Sequence, residues 1–182
     1  MGPILSTISM LHAQRRIEFI VLICIVAAYG IVAHQRNVVW KSKHSVWSDA
    51  VKKSPTNARA HYNLGKAYGE LGRFREEFEQ YQEAIRINPR FARAHYNIGV
   101  LFGKMGNYHE ELQAYKRAIR FKPDYAKAYC NLGVAYAQMG FYPKAISAFE
   151  EAVRLNPDDD VAHQNLERAC EKIKDREKGL GE

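Results

Sequence analysis

The sequence predicts an all-α protein, built as a right-handed superhelix of antiparallel helix pairs with a transmembrane helix at its N-terminal end. A repeat interval of 34 residues predicts the superhelix, because a strict period of this length is typical of stacked helical arrays. Three sets of residues share the interval: Pro55, Pro89, Pro123 and Pro157; Gly65, Gly99 and Gly133; and Asn63, Asn97, Asn131 and Asn165. An uncharged apolar run from Phe19 to Ala33 predicts the membrane helix.

Each unit of the array is predicted to form a helix, a turn and a second helix. In the first unit, Leu71-Gly72 separates the two helices. Pro89 ends the second helix, because proline lacks a backbone N–H and disfavours an α conformation in the residue before it. Small residues such as Gly65 and Ala84 recur in register, so we expect the two helices of a unit to approach closely.

The consensus of the tetratricopeptide repeat (TPR) family resembles this unit in Leu64-Gly65, in Tyr68 three positions later, in Tyr81 and Ala84 of the second helix and in the closing Pro89. The resemblance implies three repeats, at residues 58–91, 92–125 and 126–159. One position departs from the family pattern, which usually has Ala early in the second helix. Here Glu77 and Glu111 occupy it and only Ala145 conforms. We expect each carboxylate to reach outward or to find a hydrogen-bond donor.

The flanks are divided into four segments. Residues 1–16 form an N-terminal lead, and residues 17–35 are predicted to cross a membrane, since about 18 apolar residues are at the lower limit for spanning roughly 30 Å of hydrocarbon. A cleaved signal peptide and a buried soluble helix are the alternatives for that segment. Residues 36–57 are predicted to be half a repeat, with its second helix only. Residues 160–182 are predicted to form a capping helix and tail, which such arrays need at their ends.

The basic charge is concentrated near the apolar run. Residues 1–57 have 7 Lys and Arg against 2 acidic residues, residues 58–159 have 15 against 12, and residues 160–182 have 5 against 6. This distribution favours contact with anionic lipid headgroups over nucleic acid. Basic residues flank both ends of the apolar run, so the orientation of the array across the membrane stays open.

The junction between the apolar run and the array carries a more specific resemblance. An apolar span followed by Arg-Asn-x-x-Trp, a second Trp, Lys-Ser-Pro-x-Asn and His-Tyr-Asn-Leu-Gly resembles the last span and TPR tail of TPR-bearing O-mannosyltransferase-like membrane proteins. The resemblance to these multi-span proteins implies an extracytoplasmic array. The one apolar run of this chain predicts a single-pass membrane protein. The resemblance carries over no transferase activity, because the spans that would hold the catalytic acids precede this region in that family.

No residue pattern indicates catalysis, a cofactor or a metal. Phosphate loops, zinc motifs and nucleophile elbows are absent from the sequence. His61, His95 and His163 recur at one repeat position, which we interpret as facing the core of each unit. The acidic pairs Glu76-Glu77, Glu110-Glu111 and Glu150-Glu151 are interpreted as solvated residues at the start of each second helix, where they complement the helix dipole. The three cysteines lack framework spacing.

The first helices of the repeats are predicted to line a concave peptide-binding groove, as the TPR resemblance implies. The predicted groove residues are Arg59, Tyr62, Asn63, Lys66, Arg93, Tyr96, Asn97, Lys127 and Asn131. An Asn repeated down a groove offers an amide donor and acceptor to the backbone of an extended peptide. It resembles the asparagine ladder of O-GlcNAc transferase, and the chaperone-tail clamp of other TPRs is a poorer match. The alternative is a structural Asn that ties one first helix to its neighbour.

The function predicted from these observations is a membrane-anchored scaffold without enzyme activity, which binds a protein segment in a basic, asparagine-lined groove. The alternative is a substrate-presenting accessory, or the truncated tail, of a membrane O-glycosyltransferase whose catalytic domain is absent. Under either interpretation the partners are a protein or peptide and the membrane, and a membrane glycosyltransferase is a possible further partner.

Overall fold

The computed structural model describes residues 20–32 and 43–179, which contain helices and no strand. The all-α prediction is therefore confirmed for the described residues. The helices are α1 (residues 20–32), α2 (43–53), α3 (Ala58–Glu70), α4 (Phe74–Ile87), α5 (Ala92–Lys104), α6 (Tyr108–Phe121), α7 (Ala126–Gln138), α8 (Tyr142–Leu155) and α9 (Asp160–Gly179). The chain divides into two units between Val46 and Trp47, and α3 to α9 lie in the second.

Three helix pairs form the array: α3 with α4, α5 with α6, and α7 with α8. The turn inside each pair contains a glycine with a positive φ, at Gly72, Gly106 and Gly140. A left-handed backbone of this kind favours glycine, which has no Cβ to clash. Each pair also packs closely around a second glycine. A Cβ added to Gly65 would lie 2.8 Å from the ring of Tyr81, and one added to Gly133 would lie 2.6 Å from the ring of Phe149.

The core is a chain of small clusters that link neighbouring helix pairs. Tyr81 packs with Ile98, Leu101 and Ala114, and Tyr115 packs with Leu132 of the following pair. Phe149 packs with Ala162 and Ala169 of α9. α9 therefore packs on the apolar face of the third pair.

No helix within the described residues is both long enough and apolar enough to span a membrane. Residues 20–32 of the predicted span form α1, and their side chains are exposed. Residues 17–19 and 33–35 of that span lie outside the described residues. So do the predicted lead at 1–16, residues 36–42 of the predicted half-repeat and residues 180–182 of the tail.

Three expectations for polar residues were wrong. Glu77 and Glu111 are buried, with 8% and 5% of their surface exposed, so they are not solvated residues. Glu150 and Glu151 lie near the end of α8, where Glu151 pairs with Arg154, and not at its start. The third error concerns the recurring histidines: His61 and His95 are buried, but His163 is exposed. What the three share is a bond from Nε2 to the carbonyl of the proline six residues earlier, at 3.0 Å for His61 and 2.9 Å for His95 and His163.

Candidate functional site: the face of the first helices

Four of the nine predicted groove residues line one depression. Arg59, Tyr62, Asn63 and Arg93 surround a space of about 240 Å³, and Phe91 completes its wall. We call this space the first-repeat depression. It lies between α3 and the start of α5. The predicted residues Lys66 and Lys127 are exposed and do not line it.

Aromatic rings pair along this face in the first two repeats. The ring centroids of Tyr62 and Phe91 are 5.0 Å apart, and those of Tyr96 and Tyr125 are also 5.0 Å apart. Phe91 and Tyr125 occupy the N-cap positions of α5 and α7 and make no side-chain cap hydrogen bond. The equivalent residues at the two ends of the array are Asn57 and Asp159, whose side chains accept bonds from backbone N–H groups. Phe91 and Tyr125 thus place an aromatic ring at the N-cap position, where a polar side chain is usual.

Two of the predicted groove asparagines tie neighbouring repeats together. Asn97 Nδ2 donates to the hydroxyl of Tyr81 at 3.0 Å and lies 3.5 Å from that of Tyr62. Asn131 Nδ2 donates in the same way to Tyr96 at 3.1 Å and to Tyr115 at 3.3 Å. Asn97 and Asn131 therefore both make the contacts of a structural Asn, which ties one repeat to its neighbour. Asn63 lines the first-repeat depression and has no such tyrosine partner among the described residues.

A buried carboxylate lies behind each of these asparagine–tyrosine pairs. The hydroxyl of Tyr81 donates to Glu77 Oε1 at 3.0 Å. Glu77 Oε2 and Glu111 Oε2 are buried without a hydrogen-bond partner in the described structure. Burial raises the pKa of Glu77, and the bond from Tyr81 and the charge of Lys104 oppose that rise. Burial also raises the pKa of Glu111, which the Tyr115 hydroxyl opposes.

The two carboxylates fit because a glycine lies opposite each of them. A Cβ on Gly69 would lie 2.5 Å from Glu77 Cδ, and one on Gly103 would lie 2.5 Å from Glu111 Oε1. The third repeat has Ala137, Ala145 and Phe149 at the corresponding positions. There Cys130 replaces the groove tyrosine, and Asn165 Nδ2 reaches only its Sγ, at 3.9 Å. The first two repeats thus have a buried polar set that the third lacks.

Several residues of this face were missed from the sequence. Phe91 and Tyr125 follow each repeat's closing proline by two positions, so their 34-residue spacing could have identified them. Tyr81 and Tyr115 occupy the aromatic position of the second helices in the TPR pattern. Phe149 at the same position of the third repeat shows that the hydroxyl is an addition in the first two repeats, and this difference could have identified them. No group of metal-binding side chains occurs among the described residues.

Comparison with known families settles the architecture. Residues 46–72, 78–106 and 104–140 match the family described as TPR repeat, and residues 126–159 match the tetratricopeptide repeat. The chain belongs to the tetratricopeptide repeat family. The resemblance stated from the repeated residues is therefore confirmed.

Solved structures of other proteins share the fold. MamA superposes with a TM-score of 0.68 at 25% identity, over 81% of this chain and 80% of MamA. YrrB, a TPR protein with an unusual peptide-binding site, superposes with a TM-score of 0.61 at 23% identity, over 70% of this chain and 66% of YrrB.

A curated relative matches a shorter region. The Protein O-mannosyl-transferase F38B6.6 of Caenorhabditis elegans is 38% identical over 48 residues. The match covers 26% of this chain and 7% of the relative. The chain is therefore similar to a small part of a much longer protein, in agreement with the resemblance drawn from the sequence.

Proposed function

We propose that this TPR scaffold, without enzyme activity of its own, binds an extended, acidic protein segment on the face of its first helices. The first-repeat depression carries the proposal, because two arginines, an aromatic pair and an uncommitted amide converge on it. Arginine binds carboxylates in a planar, often bidentate geometry, and the amide suits a peptide backbone. Peptide binding by the structurally similar YrrB is consistent with this use of the fold.

The charge of the predicted groove indicates which class of peptide it binds. The predicted groove has four cations, Arg59, Lys66, Arg93 and Lys127, and all four are exposed. In the described part of the chain, no ion pair joins any of them to an acid, whereas Arg75, Arg86 and Arg154 on the second helices pair with glutamates. Among the described residues, Arg117 and Arg120 of α6 also make no ion pair, so the contrast holds for α4 and α8 only. The first helices therefore offer unneutralised positive charge, which favours an acidic ligand.

The test uses a fluorescent, end-blocked peptide of alternating glutamate and alanine, about ten residues long, with fluorescence anisotropy as the readout. Changing Arg59→Gln together with Arg93→Gln should weaken binding by tenfold or more, since charge-assisted hydrogen bonds contribute about 1.5–3 kcal/mol each. The loss should shrink as salt is added, because salt screens exposed charges.

The matched control changes the same charge elsewhere. Arg75→Gln together with Arg86→Gln removes two exposed arginines from α4, outside the first-repeat depression. We expect this pair to change the affinity less than twofold. Equal losses in the two double variants would mean that only net charge matters, and would overturn a site in the depression.

We also propose that residues 17–35 anchor the scaffold in a membrane, with the array on the extracytoplasmic side. The uncharged run and its basic flanks support the anchor, and the resemblance to O-mannosyltransferase tails supports the side. The protein should stay with membranes during alkaline carbonate extraction, and protease added to intact cells or spheroplasts should cleave the array. A mature soluble form that begins near Ile31 would show a cleaved signal peptide instead.

A second candidate function is a substrate-presenting accessory or tail of a membrane O-glycosyltransferase. The 48-residue match to the O-mannosyl-transferase of Caenorhabditis elegans favours it. Under this proposal the acidic segment is part of a glycosylated protein. Solubilisation in mild detergent should then copurify a multi-span glycosyltransferase with the chain, and its absence from crosslinked membranes would count against this candidate.

A further inference from the structure

Hydrogen-bond accounting determines which way Asn97 presents its side-chain amide. The Tyr81 hydroxyl has one hydrogen, and it is donated to Glu77 Oε1 at 3.0 Å. Tyr81 can then act toward Asn97 only as an acceptor. Asn97 meets it with Nδ2 at 3.0 Å. The amide oxygen must therefore point away from Tyr81.

The buried surroundings of Tyr81 keep its hydroxyl hydrogen on Glu77, so the hydroxyl oxygen stays an acceptor toward Asn97. Tyr81 is 1% exposed and Glu77 8%, so water has little access to their bond. A carboxylate has no proton to give, and a neutral carboxyl still offers its carbonyl oxygen as acceptor. Gly69 leaves the space that Glu77 occupies, since a Cβ there would lie 2.5 Å from Glu77 Cδ.

The second repeat has the same residues at the equivalent positions, where the Tyr115 hydroxyl opposes the rise in the pKa of Glu111. Asn131 Nδ2 donates to Tyr115 at 3.3 Å and to Tyr96 at 3.1 Å, and Tyr115 is 2% exposed. Glu111, 5% exposed, lies behind Tyr115 with Gly103 opposite it. The third repeat is a natural control, because Phe149 has no hydroxyl and Asn165 meets only Cys130 Sγ.

The amide oxygens of Asn97 and Asn131 are left for a ligand. Within the residues that the structure describes, neither Oδ1 accepts a hydrogen bond, and neither oxygen is among the buried atoms without a partner. Both residues occupy the repeat position of Asn63, which lines the first-repeat depression. A row of fixed carbonyl oxygens binds hydrogen-bond donors, and the donors that an extended peptide always has are its backbone N–H groups.

We propose that Tyr81 with Glu77, and Tyr115 with Glu111, are positioning residues that hold Asn97 and Asn131 as acceptors, so that this face binds one N–H edge of an extended peptide. The proposal rests on the proposed peptide-binding function. It adds that the asparagine side chains accept hydrogen bonds and that the peptide backbone donates them. Glutamate side chains of the ligand meet the arginines, and alternate backbone N–H groups meet the asparagines.

The binding test replaces backbone amides of the glutamate–alanine peptide with esters, which removes N–H donors without removing side chains. Two analogues carry esters at alternate positions, one for each edge of the extended peptide. With the full chain, one analogue should bind about three- to tenfold more weakly than the amide peptide and the other about equally well. In Tyr81→Phe/Tyr115→Phe the amide peptide should itself bind more weakly, and the preference between the two analogues should shrink, because only the hydroxyls of Tyr62 and Tyr96 still hold the asparagines.

The double Phe variant is expected to fold, because Phe149 occupies the same position in the third repeat; its helical content is checked first. Equal binding of both analogues by the parent chain, or an unchanged preference in the variant, would overturn the proposal. A parent chain that binds no form of the peptide would overturn the proposed function instead.

A measurement without a ligand tests the orientation of the asparagines separately from peptide binding. Side-chain amide NMR of the full chain in detergent should show slower hydrogen exchange for Asn97 and Asn131 than for Asn63 and Asn165. The Phe changes should reduce that difference, and the bonds to the hydroxyls of Tyr62 and Tyr96 account for the protection that stays. Equal exchange at all four asparagines would contradict the fixed orientation whether or not the peptide binds.

Discussion

The first two repeats and the third fill the same space between their two helices with different side chains. In the first repeat Gly69, Glu77 and Tyr81 form a buried polar set, which Gly103, Glu111 and Tyr115 repeat. In the third repeat Ala137, Ala145 and Phe149 fill the same positions with apolar atoms. The backbone is common to both, since each first helix packs a glycine against the aromatic ring of its partner.

From this difference we infer that the polar set serves to position the asparagines and not to stabilise the fold. A buried carboxylate with an unpartnered oxygen is unfavourable, because desolvation of a charged group outweighs one hydrogen bond. The third repeat shows that the fold manages without it. What the polar set adds is a pair of phenolic hydroxyls that hold Asn97 and Asn131 on the proposed binding face.

The largest effect is expected when a glutamate is placed in the apolar repeat. Ala145→Glu would bury a carboxylate beside Phe149, which has no hydroxyl, and opposite Ala137, which has a Cβ where Gly69 has none. An unpaired buried charge should destabilise the protein by about 3 kcal/mol or more, measured by urea unfolding. The triple variant Ala137→Gly/Ala145→Glu/Phe149→Tyr should recover much of the loss. If the single change is harmless, the glutamate does not need the polar set.

The reverse change should have a smaller effect. Gly69→Ala places a Cβ against the carboxyl of Glu77, which must then move and give up its bond from Tyr81. Overpacking of this kind costs about 1–3 kcal/mol, reduced by the better helix propensity of alanine. Gly69→Ala/Glu77→Ala/Tyr81→Phe reproduces the set found in the third repeat, leaves no buried hydroxyl without its acceptor, and should be at least as stable as the parent. Thermal melting of the three proteins checks the order, and a triple variant less stable than the single one would contradict the pairing.

The buried acids also predict a pH dependence of stability. Burial raises the pKa of Glu77 and Glu111, so the folded state holds their protons more tightly than the unfolded state does. Their stabilising contribution is present at low pH and is lost as pH rises through the raised pKa values. The partly exposed acids Glu76 and Glu83 have lowered pKa values because of bonds from Arg73 and Arg86, and act in the opposite direction.

Comparison with Glu77→Gln/Glu111→Gln isolates the buried pair, since glutamine does not titrate. Between about pH 5 and pH 8 the parent should lose a few degrees of melting temperature relative to this variant. Parallel melting curves across that range would mean that the two carboxyls titrate as if exposed.

The repeats explain why the fold could be predicted and part of the site could not. A 34-residue period with recurring Gly, Ala and Pro specifies helix pairs almost by itself, because each unit packs only on its neighbours. The burial of Glu77 could not be inferred in the same way, since a glutamate near a helix N-terminus usually faces water and complements the dipole. Glu77 is buried because Gly69 leaves space for its carboxyl and Tyr81 donates a hydrogen bond to it. In the sequence, this combination is seen only by comparison with Ala137 and Phe149 of the third repeat.

The most direct test of the account is the coupling between Tyr81 and Asn97. A double-mutant cycle of Tyr81→Phe and Asn97→Ala, measured by urea unfolding, should give a coupling energy of about 0.5–1.5 kcal/mol. The matched cycle in the third repeat, Cys130→Ala with Asn165→Ala, should give a value near zero, because those side chains meet only through a sulfur at 3.9 Å. Equal coupling in the two cycles, or none between Tyr81 and Asn97, would contradict the claim that the buried polar set holds the asparagines.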